Sequence, residues 1–76
     1  MAIAYVLLNS ELGQGSNLES DLKKIAEVKE VYAVYGVYDY LAKVETGNMS
    51  ELKEAVSNKI RNVNHILSTL TLITIE

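Results

Sequence analysis

A chain of 76 residues makes one domain, and one this short hides only about 60 % of its unfolded surface when it folds alone, so it needs further support. With no Cys and a single His, His65, disulfide and metal staples are excluded in practice, and association with other chains is the support that remains. Ten acidic residues against seven scattered basic ones give a net charge of −3, which argues against direct DNA or RNA binding, since neutralising phosphates takes clustered Lys and Arg.

The start, Met1-Ala2-Ile3-Ala4-Tyr5, lacks the basic segment and cleavage site of a signal peptide. No apolar run approaches the ~20 residues that span a bilayer, and without Cys there is no disulfide framework of the secreted kind. The expected setting is cytoplasmic. Hydrophobic residues at 49 % and charged ones at 22 % are the balance of a folded domain, not of a disordered tail.

Residues 2–8 are apolar on both alternating faces, with Ile3, Tyr5 and Leu7 on one and Ala4, Val6 and Leu8 on the other. A strand covered on both sides is expected. A polar stretch with Gly13 and Gly15 leads into Ser16-Asn17-Leu18-Glu19, which reads as a capping box opening a helix. Leu18, Leu22, Ile25 and Ala26 then share one stripe, while Glu19, Lys23, Lys24 and Glu27 face water. Val31 to Tyr35 and Asp39 to Glu45 read as two strands of a hairpin. Asn48 followed by Glu51 repeats the helix-start signal, and Leu52, Ala55, Val56, Ile60 and Val63 form the second apolar stripe. A last strand is expected from about Ile66 to Ile75, again apolar on both faces and interspersed with Thr69, Thr71 and Thr74.

The order β-α-β-β-α-β over residues 1–76 predicts one α+β domain of the ferredoxin-like class, a four-stranded antiparallel sheet with two helices on one face. Two helices cover only one side of such a sheet. Apolar residues on the other side call for a second sheet against it, closing a dimeric α/β-barrel or sandwich.

Four of the five tyrosines, Tyr32, Tyr35, Tyr38 and Tyr40, fall in the hairpin, in a chain without Phe or Trp. Tyrosine joins a large apolar ring to a hydroxyl, so the hairpin reads as a contact surface, against the plainer account that tyrosine favours strands. Gly36 reads first as a backbone necessity of the turn. Asp39 admits two accounts, an Asx-turn closing the hairpin or an acceptor for a ligand ammonium in a partly shielded site. Enzyme motifs are missing: Gly13-Gln14-Gly15 is no dinucleotide fingerprint, His65 has no co-ligands, and the helix carboxylates read as solvated. No cofactor, metal or catalytic residue is expected.

Tyr35-Gly36-Val37-Tyr38-Asp39-Tyr40, preceded by Glu30-Val31 and followed by Ser68-Thr69-Leu70-Thr71-Leu72-Ile73, resembles the ligand-binding (RAM) domain of the leucine- and asparagine-responsive Lrp/AsnC regulators, over essentially the whole chain. His65 departs from the glycine many members carry before the last strand. The larger departure is that the helix-turn-helix domain of those regulators has no counterpart here, so a stand-alone form is expected. The resemblance implies a homodimer with facing sheets, dimers assembled into a ring, and an amino acid or similar effector bound between dimers. It nominates Gly36, Tyr38 and Asp39 as one wall of the site and Thr69 and Thr71 as hydroxyl contacts, and it implies action on transcription through partners such as full-length regulators. Three other functions stay open: a purely structural oligomeriser, a cofactor-free enzyme of the dimeric-barrel type, and an ACT-like amino-acid domain using the Gly13–Gly15 loop.

Overall fold

The computed structural model of the chain describes residues 1–75; Glu76, the last residue of the expected domain, lies outside them. Strand β1, Ala2–Ser10, alternates as its sequence requires. Ala2, Ala4, Val6 and Leu8 are buried, and Ile3, Tyr5 and Leu7 are half-buried on the opposite side. Helix α1, Gly15–Lys23, is followed by β2, Val28–Ala33, and β3, Tyr40–Thr46. Helix α2, Met49–Glu54, continues as a π-helical turn over Ala55–Ile60, and β4, Ile66–Ile73, ends the fold. The sheet order is β2-β3-β1-β4 with every neighbouring pair antiparallel. This is the expected ferredoxin-like arrangement.

The core lies between the sheet and the helices. Leu18 and Leu22 of α1 and Leu52, Ala55 and Ile60 of the second helical segment pack with Ala4, Val6, Leu8, Ala42 and Val44. Each fully buried leucine contributes about 1.5–3 kcal/mol of apolar transfer energy. Ala55 and Ile60 are five residues apart and both 1 % exposed. The wider π turn, with i to i+5 bonds, is what keeps both beneath the helix.

Several local expectations are corrected. The Ser16–Glu19 capping box does not form: the helix starts two residues earlier, behind Gln14, with no side-chain cap, and Ser16 lies inside it. Glu19 does pair with Lys23 at 2.8 Å, as the i, i+4 spacing of the two predicts. Helix α1 stops at Lys23, so Ile25 still packs on the core but Ala26 is exposed and shares no stripe with it. Strand β2 begins three residues before Val31 and ends at Ala33, leaving Val34–Asp39 as a six-residue loop where a tight hairpin was expected. The last strand ends at Ile73, although Thr74 still bonds to Ile3 through its N–H at 3.0 Å. The Asn48 cap holds, accepting from the N–H of Glu51 at 2.8 Å.

Directly opposed residues share a face. The register sets Tyr5 beside Lys43 and Leu72, and Leu7 beside Leu41 and Leu70, with Tyr32 beyond Leu41. This face carries no helix, and Tyr32, Leu70 and Leu72 stand 51, 44 and 52 % exposed on it. Among the described residues no helix is long and apolar enough to cross a membrane.

Candidate functional site

Asp39 organises the end of the sheet where the hairpin loop lies. Its C=O accepts from the N–H of Val34 at 2.9 Å, closing the loop, and its own N–H donates to the C=O of Leu8 at 3.0 Å. Its Oδ2 accepts from the N–H and the hydroxyl of Ser10 at 3.0 and 3.2 Å. The carboxylate thus ties the loop to the end of β1, which is a different role from the Asx-turn expected within the hairpin. Among the described residues its Oδ1 takes part in no hydrogen bond.

Gly36 has φ +143°, a conformation side chains rarely adopt, and a Cβ there would meet open space. Backbone conformation, not crowding, accounts for the glycine. On either side of it Tyr35 projects fully into solvent and Val37 is 84 % exposed, while Tyr38 is half-buried. A cleft of about 290 Å³ opens beside the loop between Ser10, Leu12, Gly13, Val34, Asp39 and Tyr40. Gly15 also borders it, and a Cβ on Gly15 would stand 2.8 Å from the Tyr40 hydroxyl oxygen, so that ring sits where only glycine leaves room.

Thr69 and Thr71 lie elsewhere. They oppose Leu8 and Val6 and so face the helix side of the sheet, half-buried, on the far edge strand. Leu8 pairs with Tyr40 on one side and Thr69 on the other, which puts about 10 Å between the latter two backbones. A second cleft of about 240 Å³ contains Thr69 with Arg61, Val63 and Leu67, but not Asp39. Among the described residues no single cavity gathers Gly36, Tyr38, Asp39, Thr69 and Thr71. Within one chain Asp39 borders one cleft and Thr69 another, while Gly36, Tyr38 and Thr71 border neither.

Sequence reasoning missed Ser10 and the seat of Tyr40, whose roles depend on tertiary pairing. It also took Glu27 for a solvated helix residue. Glu27 Oε2 accepts from Lys59 Nζ at 2.6 Å across 32 residues of sequence, while Oε1 is buried with no hydrogen-bond partner among the described residues. The Lys59 hydrogen bond is the main cause that holds the Glu27 carboxyl below its ordinary pKa. On the helix-free face the Tyr32 hydroxyl donates to Glu30, which raises the pKa of the phenol. His65 takes a left-handed backbone at φ +73°, the conformation that suits glycine, and its C=O and ring meet the N–H and carboxylate of Glu11 at 2.8 and 3.3 Å. Among the described residues no cluster of three His, Cys, Asp or Glu side chains could hold a metal ion.

Comparison with known proteins gives this geometry a context. The chain is 31 % identical over 74 residues to the HTH-type transcriptional regulator FL11 of Pyrococcus horikoshii, covering 97 % of this chain and 48 % of the regulator. It therefore spans about half the length of the curated relatives it matches. A crystal structure of a hypothetical protein from the same organism superposes with a TM-score of 0.91 at 37 % identity, over all of this chain and 92 % of that one. The fold also recurs in a Neisseria meningitidis transcriptional regulator solved as a complex with L-Met, at 14 % identity and a TM-score of 0.83, over 99 % of this chain and 50 % of that one. The family model for the Lrp/AsnC ligand binding domain matches residues 3–76, and the chain belongs to that family.

Proposed function

We propose that this chain is an amino-acid-sensing and oligomerisation domain that acts on transcription through partner proteins, full-length regulators of its family among them. The observation that carries the reading is the helix-free face of the sheet, with Ile3, Tyr5, Leu7, Leu41, Leu70 and Leu72 in adjoining rows. Four strands about 4.8 Å apart and seven residues long present a flat area of roughly 450 Å². Two such faces, with the relief of their side chains, approach the ~1,200 Å² of a specific interface. A homodimer with facing sheets follows, and a non-enzymatic role fits its kinship with transcriptional regulators.

The effector is a free amino acid held where Gly36, Tyr38 and Asp39 of one copy meet Thr69 and Thr71 of another. The separation of Asp39 and Thr69 into different clefts supports a site shared between copies. A free amino acid needs an acceptor for its ammonium and donors for its carboxylate. Asp39 Oδ1 supplies the first, and the threonine hydroxyls supply the second. That the Neisseria regulator of the same fold was solved with L-Met makes methionine the first candidate. Light scattering after size exclusion, together with calorimetry against all twenty amino acids, tests the reading. A monomer of 8.4 kDa would end the dimer, and silence from all twenty would end the sensor.

A structural oligomeriser without a ligand is the second reading. Its specific support is that Asp39 is already occupied by Ser10 through one carboxylate oxygen.

A further inference from the structure

We infer that β4 is a pairing edge for the β4 of a second copy, so that two sheets join side by side into one continuous eight-stranded sheet. This contact is distinct from the facing of sheets proposed above.

The two edges of the sheet are built differently. β2 is six residues long and carries Lys29 and Glu30, charges of the kind that discourage strand addition. β4 is eight residues long and has none of these protections: residues 62–75 contain no Asp, Glu, Lys, Arg or Pro. The net charge of −3 lies elsewhere, so two copies can bring these strands together without like charges meeting at the seam. Leu67, Leu70, Leu72 and Ile73 are 67, 44, 52 and 39 % exposed along it. A long, uncharged, apolar edge is a template for another strand.

Hydrogen-bond direction fixes which groups are on offer. The N–H of Thr74 donates to the C=O of Ile3, so Thr74 faces β1. With the two-residue period of a strand and the pairings Tyr5 to Leu72, Leu7 to Leu70 and Asn9 to Ser68, the even-numbered residues of β4 spend their backbone groups on β1. Thr69, Thr71 and Ile73 therefore turn their N–H and C=O groups outward.

An antiparallel pair made by a two-fold axis normal to the sheet must oppose odd residues with odd ones. Counting Thr74, which continues the pairing with β1 beyond Ile73, the register with the longest overlap centres the axis at Leu70. It sets Thr69 opposite Thr71 of the second copy, twice over, and Ile73 opposite Leu67, which sits at the irregularity in the β1–β4 register. Threonine pairs across strands are favourable, and both fall on the helix side. Leu70 of one copy meets Leu70 of the other on the helix-free side. The two threonines nominated for a ligand are then brought together from two chains.

Cysteine replacement reads this geometry directly, because the chain has no Cys of its own. Opposed residues of a non-hydrogen-bonded antiparallel pair have Cα atoms about 4.5 Å apart, within reach of a disulfide. Facing sheets are about 10 Å apart, beyond that reach. Leu70→Cys should give a disulfide-linked dimer under mild oxidation. Leu72→Cys, on the same face but about 13 Å from its symmetry mate in this register, should stay reduced. In the unmodified protein at high concentration, hydrogen exchange of the Thr69, Thr71 and Ile73 amides should be as slow as that of Leu70 and Leu72. The inference is overturned if the three odd-numbered amides exchange as free edge amides, or if Leu70→Cys stays reduced while Leu72→Cys cross-links. Amino-acid affinity is measured independently of both readouts.

Discussion

Replacing Asp39 by Ala and by Asn separates the two jobs its carboxylate can hold. Oδ2 accepts two hydrogen bonds from Ser10, and Oδ1 is the atom left for a ligand. A hydrogen bond to a charged group contributes about 1.5–3 kcal/mol in shielded settings, but Asp39 is exposed and water competes, so the Ser10 clamp is worth about 1 kcal/mol. For a domain this small that is a fall of roughly 4–8 °C in Tm for Asp39→Ala. Asp39→Asn keeps a carbonyl acceptor for Ser10 and should melt close to the unmodified protein. A ligand at a hundred times its Kd stabilises by about 2.7 kcal/mol, a shift large enough to read in a melt. If Asp39 also holds the ammonium, loss of its charge weakens binding by about ten- to a hundredfold, and the ligand-induced shift of Asp39→Asn collapses while its own Tm stays. Melts with and without each amino acid, checked by calorimetry, decide the matter. An Asp39→Asn variant that binds as tightly as the unmodified protein refutes the ammonium role and leaves Asp39 as a clamp.

Leu52→Ala, at a side chain with no exposed surface, should cost about 2–5 kcal/mol in urea denaturation, enough to leave much of so small a domain unfolded. Asn48→Ala should cost about 0.5–2 kcal/mol because its side chain caps α2, whereas Ser16→Ala, which caps nothing, should shift the urea midpoint little. Gly36→Ala should cost about 1 kcal/mol or more from φ +143° alone, with folding read by urea and no clash to relieve. The Glu27 carboxyl is held below its ordinary pKa, so its stabilisation is present above the unfolded value and is lost as pH falls through the lower folded value. The gap in urea midpoint between the unmodified protein and Glu27→Gln should accordingly be open at neutral pH and close in acid. A gap independent of pH would contradict the Lys59 pairing as its source.

What could be read from sequence was whatever is decided by neighbours along the chain. The alternation in residues 2–8 carries both faces of β1, and the Asn48 signal with the Leu52 to Val63 stripe carries the second helical segment, because cap and period are local properties. The capping box at Ser16 was equally local and failed. Gly15, with Tyr40 lodged against it, begins the helix two residues earlier than the side-chain signal says. Val34 to Tyr38 has strand-forming composition, yet it forms a loop, because Asp39 spends its backbone and carboxylate on Val34, Leu8 and Ser10. Strand propensity is weak against such tertiary bonds. The Glu27–Lys59 pair, 32 residues apart, had no local signal to give.

The split of the nominated residues bears on how a sensor of this design would respond. Asp39 and its loop lie at one end of the sheet, while Thr69 and Thr71 lie on the far edge strand. A ligand that draws the two sets from different copies has its affinity tied to assembly. Linkage is reciprocal: whatever factor association adds to ligand affinity, the ligand adds to association. No hinge or lid within one copy is required, since the state that changes is the population of assembled chains. The same logic explains why Tyr35 and Val37 can stand in solvent on an isolated chain. In the assembly proposed above, the loop that bears them, pinned by Asp39, would bury that apolar surface against another copy.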